Sequence, residues 1–225
     1  MRLLIIGAGG LATEIYDWYL SDELRVFKAS QNANQLSLIK KKYITGVHHL
    51  VESKYRNQHD ESLVPETLET FSFRDADKFV IAINDVFERR RIAIKLQTEK
   101  AAKFTTICHT SASVSKQCHL SLGCIIGAFV RINPNVHLAE NVILNNFCSL
   151  GNRASVGLYS SLASHVDIHD SAKVGSQTFI GSHSIVAAKK HVGERCIIGA
   201  NCFISRDLRS DSVILSQKPL QSRRI

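Results

Sequence analysis

The sequence predicts two joined parts, a small parallel α/β unit over residues 1–105 and a parallel β-helix over residues 106–225. Three observations carry this. An apolar run from Leu3 to Ile6 leads straight into a Gly-rich turn and a helix-like pattern. Strand and helix patterns then alternate up to about residue 105, as parallel α/β units do. From there on, every sixth residue is apolar without a slip as far as Ile204.

The opening "MRLLIIGAGGLATEIYDWYL" reads as strand, turn and helix. Gly7-Ala8-Gly9-Gly10-Leu11-Ala12 is a loose G-x-G-x-x-A, a loop that aims free backbone N–H groups at a phosphate. Gly7, Gly9, Gly10, Leu11 and Ala12 are therefore the candidate substrate-binding residues of a Rossmann-like unit. A dinucleotide site also asks for an acid at the end of the second strand. The next strand-like stretch, Leu24 to Lys28, ends on Lys28, so NAD is not expected. "KFVIAI" from Lys78 gives a further strand, "NDVFERRRIAIKLQ" a helix, and "FTTIC" the entry to the repeat. Residues 40–70 are polar and show no readable period.

The repeat runs through Cys108, Val114, Leu120, Ile126, Ile132, Leu138, Leu144 and Leu150 to Ile198 and Ile204. The residue four later is mostly small or β-branched, with Lys190 the misfit. Two inward residues flanking one outward residue fit strand alternation. A helix, with its period of 3.6, cannot use a strict six-residue step. Three such sides make an 18-residue triangular coil, and roughly five coils fit between Cys108 and Leu208. Gly often follows the aliphatic residue, as at Gly127, Gly151, Gly157, Gly175 and Gly181, and is expected to ease a tight corner. The six cysteines fall on inward positions and lack C-x2-C spacing, so they read as small buried hydrophobes and no metal is expected.

The net charge of +8 is concentrated in the second half, which suits a phosphate-bearing ligand. Lys40–Lys42 and Arg89–Arg91 read as solvated runs, and with no nucleic-acid module around them no nucleic-acid partner is expected. No stretch of 18 apolar residues and no signal-peptide pattern occur, so neither a membrane span nor export is expected and a cytoplasmic location is.

"LLIIGAGGLATEI", "AINDVFERR", "HLAENVILNNFCSLGNRASVG", "AKVGSQTFIGSHSIV" and "CIIGANCFISRD" together resemble one family, over nearly the whole chain. It is the sugar acyltransferase family that includes the PglD bacillosamine N-acetyltransferases and the NeuD sialic acid O-acetyltransferases. The resemblance implies a left-handed β-helix built on hexapeptide repeats and a homotrimer packed along the solenoids. It implies acetyl-CoA, or another acyl-CoA, in the cleft between neighbouring subunits. It also implies a sugar or nucleotide-linked amino sugar held partly by the Gly loop, for cell-surface polysaccharide synthesis. Cofactor contacts would fall on Ser161, Ser182 and Ala200, with Lys189, Lys190 and Lys218, and Arg195 and Arg206 beside them, available to CoA phosphates.

The chain departs from the family at several of these points. Leu11 and Ala12 replace a His and the last Gly of the loop, and the usual acidic pair after the second strand is missing. The C-terminal segment reads Gln217-Lys218-Pro219-Leu220-Gln221 in place of a G-x-P-A-K-like motif. Counted from Asn145, the family's general-base His falls on Asn152 and its neighbouring acid on Arg153. A second family His falls on Ser161. An amide has no useful basicity and a guanidinium stays protonated. Residues 18 apart stack, which puts Asp170 over Asn152 and His169 over Gly151. Asn152, Arg153, His169 and Asp170 are thus the candidate catalytic residues, with His169 a substitute base. His165 and His183 continue a ladder begun by Phe129 and Phe147, and His119 stacks with His137. Two functions stay open: an acyl-CoA-dependent acyltransferase acting on an amine rather than a hydroxyl, because an amine needs less help from a base, or a trimeric scaffold or ligand-binding protein that kept the fold without the chemistry.

Overall fold

The computed structural model describes residues 1–7, 9–29, 36–39, 44, 46–52 and 66–216. Its first part is a parallel sheet of β1 (Arg2–Ile6), β4 (Gly46–Val51), β5 (Glu66–Thr67) and β6 (Lys78–Ile81), in the order β5-β4-β1-β6. α1 (Gly10–Leu20) covers one face of the sheet and α2 (Val86–Lys100) the other. β1 is flanked on both sides and covered on both faces, so Leu3, Leu4, Ile5 and Ile6 are all buried, as a central parallel strand requires. α1 lies between this sheet and the β-helix, where Leu11, Ala12, Ile15 and Trp18 join one apolar cluster with Ile107, Ile125 and Ile143.

The strand after α1 corrects the sequence reading. β2 (Leu24–Ala29) does not join β1. It runs antiparallel to β7 (Thr106–His109), the first strand of the β-helix, and pairs on its other edge with β3 (Leu36–Ile39). One of the two strands beside β1 is β4, which lies in the stretch without a readable pattern, and Glu52 directly follows its last residue. The missing acid of the sequence reading is therefore present. Strand propensity locates an extended segment but does not say which edge it will pair with, and that is where the reading failed.

The second part is a left-handed parallel β-helix. Its first face carries β7 and the strands at Ile125–Ile126, Ile143–Leu144, Ser161–Leu162, Phe179–Ile180, Ile197–Ile198 and Val213–Ile214. The second face carries those from Ser113–Val114 to Phe203–Ile204, and the third those from His119–Leu120 to His191–Val192. The register advances by 18 residues per coil, as in Leu144 against Leu162 and Leu150 against Ile168. The coil count is about six rather than five. The last coil is shortened, since Ile197 pairs with Val213 and Val192 with Leu208.

The corners also correct the sequence reading. From Phe129 to Asn201, every sixth residue is a non-glycine in the left-handed region, with φ between 53° and 62°. The turn strain is offset by a bond from each N–H to the coil below: Phe129 to Ser111 Oγ at 2.9 Å, and the later ones to a carbonyl, as from Phe147 to Ala128 at 2.9 Å and from Tyr159 to Glu140 at 3.0 Å. The glycines sit two residues earlier and serve a different end. A Cβ on Gly151 would lie 2.4 Å from Asp170 Oδ1 and 2.5 Å from its backbone nitrogen, and one on Gly127 would lie 2.5 Å from Asn146 Oδ1. At Gly127, Gly151, Gly157, Gly175, Gly181 and Gly193 the next coil is too close for a side chain.

Inside, the aliphatic ladder forms one continuous core. Its few polar members are satisfied: Ser160 Oγ donates to the Gly175 carbonyl at 2.7 Å and accepts from Thr178 N at 3.1 Å. Of the cysteines, five are buried and Cys118 is half-buried. Burial pushes the thiols of Cys124 and Cys148 up to about 12, so they pack as hydrophobes.

Candidate functional site

The Gly loop opens into a cavity of about 670 Å³ between the ends of β1, β4 and β6 and the starts of α1 and α2. Gly7 has φ of +126°, and a Cβ there would lie 2.8 Å from the Ala82 carbonyl oxygen, so only glycine fits. Gly9 is the N-cap of α1 and provides no side-chain cap, and open space lies beside both Gly9 and Gly10. The first N–H groups of α1 thus have no side-chain cap. α2 differs: the Asp85 carboxylate already accepts from Phe87 N at 3.0 Å and Glu88 N at 2.8 Å. Gly7, Gly9, Gly10 and Leu11 line the cavity. Ala12 does not: it is fully buried on the core face of α1, where a helix places the residue after Leu11, and it is withdrawn as a substrate contact.

Glu52 lines the same cavity and is only 5% exposed. Arg91 and Lys95 hold its carboxylate, and Arg91 also bonds Glu88 at 2.6 Å. The hydrogen bonds that Arg91 donates to Glu88 and Glu52 raise its guanidinium well above its ordinary value, so that it stays charged at the rim.

At the turn between the second and third faces, Asp170 stands over Asn152, as the 18-residue step requires. Asp170 Oδ1 accepts from the Asn152 backbone N–H at 2.8 Å. The Asp170 carboxylate is turned down to that N–H. His169 is exposed and lines an open hollow of about 520 Å³ with Arg131, Asn133, Ser149, Gly151, Asp170 and Ala188. Arg153 is exposed at the corner, with Lys189 at the matching corner two coils up and Lys190 following it. Ser182 and Ala200 lie elsewhere, at the turn between the first and second faces. Phe129, Phe147, His165 and His183 run along that same edge as a stack, with centroids 4.6–5.0 Å apart. His119 and His137 stack on the third face at 4.4 Å. Lys218 lies outside the described residues.

Ser161 is fully buried on the first face, against the cavity-bearing unit. Its hydroxyl donates to the Asn84 carbonyl at 2.8 Å and accepts from Arg89 at 2.9 Å. That leaves it enclosed within the chain and not on an open cofactor cleft. Arg89 itself was missed. It belongs to a run read as solvated, yet it is 0% exposed. Its guanidinium donates to the carbonyls of Ile83, Asn141 and Tyr159 as well as to Ser161 Oγ. Burial pulls it down to about 9, which still leaves it charged near neutral pH. The signal was in the helix period: Arg89, Ile92, Ala93 and Leu96 form the buried stripe of α2.

No protein-family model matches the sequence, and no curated protein matches it. Solved structures do share its architecture from end to end. The acetyltransferase domain of PglB from Neisseria gonorrhoeae FA1090 superposes with a TM-score of 0.78 at 16% identity, covering 96% of each chain. WeeI from Acinetobacter baumannii AYE gives 0.72 at 12% identity, covering 96% of this chain and 97% of that one. A histidine-to-asparagine variant of perosamine N-acetyltransferase from Caulobacter crescentus, in complex with CoA and GDP-perosamine, gives 0.71 at 19% identity, covering 96% and 94%. At these identities the likeness is one of fold.

Proposed function

We propose that this chain is an acyl-CoA-dependent acyltransferase that moves an acetyl group onto the amine of an amino sugar, carried on a nucleotide. The observation that carries the reading is the cavity. An uncapped helix N-terminus suited to a diphosphate and a buried acid at the end of the strand beside β1, suited to hydroxyl or nucleobase donors, face one space of about 670 Å³. That space adjoins a β-helix of the kind found in the perosamine N-acetyltransferase complex.

The geometry favours a site shared between copies of the chain. The cavity borders the first face, where Asn84 contacts Ser161 and Asn145. Asn152, Arg153 and His169 belong to the second face and the turn beyond it. One side of a coil spans roughly 20 Å at strand rise, so a ligand in the cavity does not reach them within one chain. A homotrimer, with acyl-CoA between neighbouring β-helices and its phosphates toward Arg153, Lys189 and Lys190, brings the two together. The sugar amine would attack the thioester carbonyl, the C–S bond would break, and CoA would leave as the thiolate. The amine proton would pass to His169 or to solvent.

A second reading rests on Asn152. With an amide at the corner and the Asp170 carboxylate committed to a backbone N–H, no carboxylate-backed base stands there. A trimeric ligand-binding protein without catalysis fits that corner. Release of CoA thiol in the presence of acetyl-CoA and a panel of UDP-, dTDP- and GDP-linked amino sugars decides between them. Release with one of these supports the enzyme; binding without release supports the second reading; neither binding nor release overturns both.

A further inference from the structure

We infer that Arg89 and Ser161 are positioning residues: together they fix the cavity-lining loop Ile83–Asp85 to two successive coils of the β-helix, so that the cavity's ligand affinity depends on a contact outside it. The claim about affinity rests on the cavity reading above; the claim about the loop does not.

The loop follows β6, the edge strand of its sheet, and Asn84 and Asp85 are exposed, so its hold on the β-helix depends on a few specific bonds. Those bonds converge on Arg89. One N–H of its guanidinium takes the Ile83 carbonyl, at the base of the loop. A second takes the Asn141 carbonyl at 2.9 Å, and the far nitrogen takes the Tyr159 carbonyl and Ser161 Oγ. Asn141 and Tyr159 stand 18 residues apart, one coil above the other. Ser161 then closes the circuit by donating to the Asn84 carbonyl. The planar fork suits this arrangement of fixed acceptors, and an ammonium would not satisfy it. A buried charge is held only where its donors are met, so loosening any one contact also loosens the loop.

Asn84, Asp85 and Ile83 all line the cavity. The Asp85 carboxylate caps α2, and the Asn84 side chain meets Asn145 of the β-helix at 3.4 Å. A shift of this loop relative to the coils would move the cavity wall and the N-terminus of α2 together.

The test uses the full chain and two variants. Ser161→Ala removes one hydroxyl and no charge; Arg89→Lys keeps the charge and loses the fork. Hydrogen exchange of peptides covering 83–88 is followed, alongside titration with UDP, GDP and dTDP. Expected is a rise of about tenfold in exchange at 83–88 in Ser161→Ala, ~1.4 kcal/mol of local opening, with the coils around Leu162 as protected as before. For whichever diphosphate binds the unaltered chain, affinity falls several-fold, and Ser161→Thr restores both. Unchanged exchange in Ser161→Ala overturns the inference whatever the nucleotides do. Raised exchange with unchanged affinity overturns its affinity part. Raised exchange in a chain that binds no nucleoside diphosphate sustains the loop clamp and removes the cavity reading instead. Arg89→Lys should exceed Ser161→Ala in exchange; if it does not fold, Ser161→Ala alone decides.

Discussion

Asp170 stands one coil above Asn152 and takes its backbone N–H at 2.8 Å, in the space that a Cβ on Gly151 would need. Asn146 does the same one turn of the triangle away, capping Ala128 N at 2.7 Å over Gly127. The two glycines and the two capping side chains are paired features of adjacent coils, 19 residues apart.

Gly151→Ala should therefore be costly although its backbone angle tolerates a side chain. We expect roughly 1–3 kcal/mol of destabilisation in urea unfolding, from the overlap with Asp170. Gly9→Ala, with nothing within 4 Å, meets no such overlap and should cost about 1 kcal/mol at most, from the N-cap preference for glycine over alanine. Equal losses at both sites would contradict the stacking account.

If CoA release is detected, His169→Ala should lower kcat by ~10²–10⁴, the usual worth of a general base. Steady-state rates at saturating acceptor measure this. An unchanged kcat removes His169 from the chemistry.

Asn152→His puts an imidazole at the second-to-third-face corner. The same assay should show a faster rate and a new acid limb in the pH–rate profile, the rate falling as the imidazole protonates, because a group able to accept the amine proton now stands there. A rate equal to that of the unaltered chain would mean that proton removal is not limiting.

Much of this was legible in advance, for a physical reason. A six-residue step is imposed by inward packing at every coil, so the β-helix, its register and the stacking of Asp170 on Asn152 follow from side-chain type alone. The cavity loop was legible at Gly7, where backbone contact excludes any other residue. What stayed hidden depends on partners distant in sequence. β2 is an ordinary strand whose antiparallel partner β7 lies 79 to 85 residues away, and Glu52 gained meaning only once β4 was seen beside β1. Arg89 looked like its exposed neighbour Arg90, since charge says nothing about which side of a helix it occupies.

Acid stability offers a test of the first unit. Burial raises the Asp77 carboxyl, but Arg2, with the Arg74 backbone N–H, more than reverses this, and the net value is lowered. A carboxyl lowered in the folded state contributes stability above its unfolded value of about 3.9 and loses it as pH falls through the folded value. Asp77→Asn should cost roughly 1.5–3 kcal/mol at pH 7, the usual worth of hydrogen bonds to a charged group. The gap to the unaltered chain should narrow below pH 4. A gap independent of pH would assign the loss to packing.

Thiol labelling tests the core. Iodoacetamide at pH 8 should modify Cys118 first, with Cys124 and Cys148 silent until the chain unfolds, because burial holds their thiols protonated. Early labelling of Cys148 by mass spectrometry would mean that the coil opens locally.

The uniform register also limits how such a chain can change its length. A single inserted or deleted residue between Cys108 and Ile198 would turn every later inward side chain outward, so tolerated changes there come in whole coils. Among the described residues the final coil departs from this step, running two residues short. The distance from the cavity-bearing unit along the β-helix is thus a quantised length up to that final coil.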